Sequence, residues 1–206
     1  MIKFTCFTDT CSYINLTLFE YKEGTLLDLL REKVNVRICP EINRIEIPNH
    51  ENDKTPKINE RINEVYHTNK LSYKEYEKRI FNTQSITGAG DKGEKDNFSA
   101  LIDSYLFQKT KGLIFLSDDY KAINSIFNEW KHAFPIFRIW TSFDVVLFLY
   151  IDNVIISKDI AVTALKTLNA GIAPNNPRTK IYKTQQRIDR LNKYLTFLEL
   201  INNLKR

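Results

Sequence analysis

FTCFTDTCSYI, residues 4–14, decides how the chain is read: an apolar, β-branched run stops at Asp9 and passes at once into Thr-Cys-Ser. The composition of residues 2–7 predicts a strand. Beyond it Ile14, Leu16, Leu18, Phe19, Leu26, Leu27, Leu29 and Leu30 recur at helical spacings, with Gly24 as a break, and predict two helices. A carboxylate at the end of a buried strand has two readings. It caps the next helix by accepting a hydrogen bond from an orphan N–H, or it holds a cation.

The same pattern recurs further along. GLIFLS (112–117) is a buried-strand run that ends in Asp118 and Asp119. VNVRIC (34–39) alternates as a strand, and Pro40 opens a short helix, EINRIEI, as a first-turn proline. PIFRIW predicts one more strand; 95–109, DDYKAINSIFNEW, 142–151 and 157–169 predict helices. From 50 to 93 the composition turns to Asn, Lys and Glu, which predicts a polar insertion with short helices near 58–66 and 71–81 and little core. A last helix carries Ile188, Leu191, Leu195 and Leu198 on one stripe, suited to packing on another helix of this chain or of a dimer. Strands alternating with helices predict an α/β fold around a mainly parallel sheet, whose sites form beyond the carboxyl ends of the strands.

Capping alone leaves a surplus of acids. LSDD offers two carboxylates where one cap suffices, DKGEKD places Asp91, Glu94 and Asp96 ahead of a helix, and Glu46 follows another strand closely. Gathered by one sheet edge, these groups repel unless a cation lies between them. Oxygen ligands without His or Cys suit Mg²⁺ or Mn²⁺. His50, His67 and His132 are isolated and show no metal-ligand spacing. The literal G-x-G-x-x-G at 88–93 follows a poor strand and is flanked by acids, which excludes a dinucleotide loop.

At 206 residues and 43% hydrophobic, the chain has the size and composition of one substantial core. No apolar run reaches bilayer length, since VVLFLYI (145–151) lies between Asp144 and Asp152. With no leader-like N-terminus and three cysteines in no CxxC pair, a cytoplasmic location with reduced thiols is expected. The net charge of +5 is unevenly spread: residues 177–206 hold eight Lys or Arg against two acids, and 1–176 hold 22 against 23. Arg178, Lys180, Lys183 and Arg187 in that tail are candidate contacts to an RNA backbone, against the plainer reading of a solvated helix face. The expected division is a domain over 1–176 followed by a basic helix, 177–206, packed on it or on a partner.

Four motifs in order resemble the PIN-domain family of metal-dependent nucleases: FTDTCSYINL, ICPEINRIEI, DKGEKDNFSALIDSYLFQ and GLIFLSDDYKAINSI. The likeness covers roughly 2–130, interrupted by the insertion. FRIWTSFDVVLFLYIDNVIISKDIAVTALKTLNAG then resembles the finish of toxin-antitoxin nucleases of this family. The resemblance implies a three-layer α/β/α fold and hydrolysis of RNA by a metal-activated water. It implies catalytic roles for Asp9, Glu46 (with Glu41 the weaker alternative), Asp96 and Asp118, and metal binding by Asp9, Asp96 and Asp118 with Glu94 and Asp119 beside them. Thr10 then bonds a phosphate or a metal-binding carboxylate, and its alternative role is local capping. An antitoxin or regulatory protein and a homo-oligomer are the partners the resemblance suggests; no membrane is expected. Two other classes stay open: a catalytically silent PIN-like interaction module, and a metal-dependent hydrolase of small phosphate esters.

Overall fold

The computed structural model describes residues 4–81, 92–108, 110, 112–119, 123, 137–171 and 177–205. The fold is mixed α/β, with a central four-stranded parallel sheet. Its strands are β1 (Thr5–Thr8), β4 (Asn35–Arg37), β5 (Leu113–Leu116) and β6 (Phe137–Trp140), in the order β4-β1-β5-β6. A two-residue pair, β2 (Glu20–Tyr21) and β3 (Gly24–Thr25), forms a separate hairpin. Every residue of β1 and β5 is buried, as expected of inner strands in a parallel sheet. From β1 the chain goes to β4 on one side and then to β5 on the other, so the strand order reverses at the β1–β5 boundary. Crevices for ligands form at such reversals, beyond the carboxyl ends of the strands.

Two compact units make up the chain, with boundaries that differ from a division at 176: Met1–Ile14 with Arg31–Thr141, and Asn15–Leu30 with Ser142–Arg206. The first unit holds the sheet, α1 (Thr10–Asn15), α3 (Tyr73–Phe81) and α4 (Lys92–Gln108) except for the last residue of α1. Helix α4 packs on β1 and β5. Phe98, Ala100, Leu101 and Ile102 enter a core with Phe7, Leu113, Phe115 and Phe137. Phe98 and Phe137 meet edge to face, as do Phe7 and Tyr66, with ring centres 6.3 and 5.1 Å apart.

The polar segment from 50 onward is built into this unit more deeply than its composition suggests. Tyr66 and Tyr76 are buried in the core. Ile38 bridges Val65 in parallel, with Ile38 N–H donating to Glu64 O and Tyr66 N–H to Ile38 O. Arg61 is wholly buried and donates to Asn43 Oδ1 and O and to Pro56 O. Asp103 on α4 accepts from Tyr76 OH (2.6 Å), Tyr66 OH (2.8 Å), and Asn69 N–H and Nδ2 (2.9 and 2.6 Å). Hydrogen-bonded anchors thus fasten a segment that has few apolar ones.

The second unit is mainly helical and also holds the β2–β3 hairpin. Thr25 and Asp28 form a reciprocal cap at the start of α2 (Leu26–Lys33), where Thr25 N–H donates to Asp28 Oδ2 at 2.9 Å and Asp28 N–H to Thr25 Oγ1 at 3.3 Å. Helices α5 (Ser142–Ile151), α6 (Lys158–Gly171) and α7 (Pro177–Leu204) pack on one another. The 188–198 stripe faces this bundle through Leu198, which is fully buried, while Ile188 is exposed. Tyr194 OH donates to Asp144 Oδ1 (2.7 Å), and Tyr150 OH to Asn202 Oδ1 (2.8 Å). Among the described residues, no helix is long and apolar enough to cross a membrane. The helix expected over 118–130 lies largely outside the described residues.

Candidate metal centre

Strand register builds the site. Thr8 pairs with Leu116, and Asp9 N–H continues the ladder to Leu116 O at 3.0 Å, which sets Asp9 opposite Ser117 just past the strand ends. Ser117 N–H in turn donates to Trp140 O at 2.9 Å. Asp9 also begins α1: its carbonyl accepts from Tyr13 N–H (3.0 Å), and its Oδ1 accepts from Ser12 N–H (2.7 Å). The capping reading is therefore correct for Asp9, but it uses one oxygen only. The other, Oδ2, accepts from the Ser117 hydroxyl, whose Oγ also accepts from Asp119 N–H at 3.1 Å. Burial pushes the Asp9 carboxyl up to about 7; the Ser117 and Ser12 hydrogen bonds oppose that rise, and the Asp118 charge adds to it.

Cys11 marks the surroundings. Its thiol, exposed on the first turn of α1, is pushed up to about 12 by partial burial and then by Asp9, Asp119, Asp118 and Glu94. Asp9, Asp118, Asp119 and Glu94, from three elements, therefore all lie near enough to Cys11 to act on it. Glu46 approaches the neighbouring residue, Thr10. The segment after Pro40 winds as a π-helix, Ile42–Glu46, with Ile47 N–H bonded to Ile42 O at 3.0 Å. There Glu46 accepts the Thr10 hydroxyl through Oε2. It also lies against Gly93 in the first turn of α4, where a Cβ would come within 2.5 Å of Oε1. Thr10 thus hydrogen-bonds the Glu46 carboxylate.

The acids of the third motif divide between two sides of α4. Glu94 belongs to the group around Cys11. Asp96, about 200° further round the helix, lies beside Glu77 of α3, Lys92 and Glu41, and its carboxyl is pushed up to about 7 by burial and then by Glu77. Glu41 is paired with Lys92 at 2.7 Å. Asp96 and Glu46 both act on Cys39, whose thiol is raised chiefly by burial. Asp91 lies outside the described residues, as do the side chains of Arg178, Lys180, Lys183 and Arg187, although the backbone of these four belongs to α7.

Three participants carried little signal in the sequence. Ser117 is legible only once the β1–β5 register is known. Glu77 comes from the segment read as an insertion. Asn97, fully buried on α4, donates to Thr8 O at 3.2 Å and leaves Oδ1 without a partner; Asp96 Oδ1 is likewise buried and unpaired. Such oxygens are costly to bury. The acids around Cys11 offer only oxygen, which a hard divalent cation prefers; Asp96, on the other side of α4, stands apart from them. As they stand, no three acidic, His or Cys side chains among the described residues are grouped closely enough to hold a metal ion. The chain gives no match to protein-family models, curated proteins or solved structures.

Proposed function

We propose that the chain is a PIN-like, divalent-metal-dependent endoribonuclease. The observation that carries this reading is the buried Asp9 at the strand-order reversal, kept close to Asp118 with its carboxyl raised to about 7. Acids so placed repel a phosphodiester, so a cation has to accompany a polyanionic substrate into this corner. Mg²⁺ or Mn²⁺, when bound, lowers the pKa of a coordinated water and offsets charge on the phosphate. Asp9, Asp118 and Glu94 are the residues proposed to hold it, with Asp119 at the rim. Ser117 and the Ser12 N–H fix the orientation of the Asp9 oxygens, and Thr10 fixes Glu46. Arg178, Lys180, Lys183 and Arg187 are proposed to contribute charge towards the RNA backbone. A cytoplasmic setting and an antitoxin-like regulator belong to the same reading.

One observation favours a second reading. The described acids are not grouped as a ready metal cage, and Asp9 does serve as a helix cap. A catalytically silent module with the same fold would look like this.

Cleavage of labelled single-stranded and hairpin RNA in Mn²⁺, Mg²⁺ or EDTA, with wild type beside Asp9→Asn, separates the two readings. Metal-dependent cleavage lost in both EDTA and the variant is the expected result. No cleavage under any condition leaves the silent module. Competition by RNA against a small phosphate ester tests the third class, because an esterase would prefer the small substrate.

A further inference from the structure

Enclosing the guanidinium of Arg61 is costly. The side chain has no exposed surface and has lost its hydration, and an apolar residue of similar size would fill the same space without that penalty. Its hydrogen bonds go to neutral oxygens: Nε to Asn43 Oδ1 at 2.6 Å, Nη2 to Asn43 O at 2.8 Å, and Nη1 to Pro56 O. Two donors of one rigid fork therefore grip both oxygens of a single residue, which fixes its side chain and its backbone together. Asn43 lies in the π-helix Ile42–Glu46, three residues before Glu46. Turns of this kind are rare and are found mostly at functional sites.

The same stretch grips the opposite side of the Glu46 contact. A single 3₁₀ turn, Ile62–Glu64, starts at Arg61 and is closed by Glu64 N–H donating to Arg61 O at 3.0 Å. Glu64 Oε2 accepts from the hydroxyl of Tyr13 at 2.7 Å, and Oε1 accepts from Arg31 Nε. Arg31 Nη2 donates to the same hydroxyl at 2.7 Å, so the tyrosine is held from two directions. Tyr13 is wholly buried on α1, three residues after Thr10. Arg61 thus holds the segment that carries Glu46, and Glu64 holds the helix that carries Thr10. Those two residues meet in the Thr10–Glu46 hydrogen bond. The turn is itself anchored just past β4, where Ile38 N–H donates to Glu64 O at 3.0 Å.

We propose that residues 61–64 form a clasp that positions Glu46 against Thr10, with Arg61 and Glu64 as positioning residues that touch neither cation nor RNA. Its catalytic consequence rests on the nuclease reading, whereas the clasp itself can be measured without it.

A double-mutant cycle in urea unfolding of the full chain is the test. Thr10→Val takes the hydroxyl from Glu46 and is expected to lower the folding equilibrium constant about tenfold. In an Asn43→Ala background, where Arg61 loses its side-chain acceptor, the same change should lower it less than about twofold. Asn43→Asp keeps both acceptors and should restore the full effect. Tyr13→Phe, which frees α1 from Glu64, should shrink the effect as Asn43→Ala does, and it decides the matter if Asn43→Ala does not fold. An undiminished Thr10→Val effect in either background overturns the proposal, as does loss of the effect in Asn43→Asp. Cleavage of labelled RNA in Mn²⁺ reads the consequence: kcat should fall about tenfold or more in Asn43→Ala, with KM within about twofold, and return in Asn43→Asp. A raised KM with unchanged kcat would make the segment a substrate contact and overturn its positioning role. No cleavage by wild type overturns the nuclease reading, and the unfolding cycle then decides the clasp alone.

Discussion

Asp9 and Asp103 are both buried aspartates of the sheet-containing unit, and they are treated in opposite ways. Asp103 receives four hydrogen bonds from neutral donors on Tyr76, Tyr66 and Asn69. Burial works against its charge, yet those donors hold its carboxyl below the usual range. Asp9 receives two, from Ser117 and Ser12, and has a second carboxylate, Asp118, near enough to raise it further. One acid is satisfied by the protein itself. The other is left under-compensated, and groups of that kind cluster at functional sites.

The sharpest break of this comparison is removal of the satisfied acid. Asp103→Ala leaves two buried tyrosine hydroxyls and the Asn69 amide without their acceptor, and is expected to cost about 3–5 kcal/mol in urea unfolding. A loss under about 1 kcal/mol would mean that Asp103 does not anchor the polar segment.

Asp9→Asn should move stability the other way. The amide can accept from Ser12 N–H and donate to Ser117, while the unfavourable charge disappears. The metal-free variant is expected to gain on the order of 2–4 kcal/mol at pH 7.5. The sign follows from the raised folded value. Below about pH 4 Asp9 is protonated in both states. As pH rises to about 7, the folded form retains a proton that the unfolded chain has lost, so stability falls across that window. Asp96, raised to about 7 by burial and Glu77, adds to the same slope. Asp103 has the opposite sign: its contribution is present above the unfolded value and is lost as pH falls through its lower folded value. Melting temperatures from pH 4 to 8 should therefore show a decline towards neutrality in wild type that is shallower in Asp9→Asn. Mn²⁺ should flatten the wild-type decline.

The smallest expected effect sharpens the comparison along one helix. Glu94→Gln should weaken Mn²⁺ binding about 10- to 100-fold by calorimetry, and Asp96→Asn by less than about threefold. The reverse order would place the third acid on the Glu77 side of α4.

Much of this arrangement could be read from the residues. The apolar runs ending at Asp9 and Asp118 gave both inner strands, because a buried parallel strand needs side chains apolar on both faces. Helix α4 and the helices after Thr141 followed from periodicity. Strand order did not, since nothing local in the chain states that β1 lies between β4 and β5. Without that order Ser117 cannot be set opposite Asp9. The segment from 50 to 81 reads as lying outside the core because Arg61 and the Tyr66–Tyr76–Asp103 group are anchored by hydrogen bonds, which leave no apolar period. Glu94 and Asp96 look alike in the sequence, and only the turn of α4 separates them.

Gly93 has a consequence of a different kind. The first turn of α4 can lie against Glu46 because the residue there ends at its Cα; one added methyl would meet both carboxylate oxygens, at 2.5 and 2.9 Å. Those oxygens are the far end of a long, flexible side chain held by one hydrogen bond, whereas α4 is fixed by the core behind it. The helix would stay and the carboxylate would leave, letting go of Thr10. A single hydrogen-to-methyl exchange at this glycine thus separates inheritance of the fold from inheritance of the site: the chain lies one codon from a descendant that folds as before and presents a different corner.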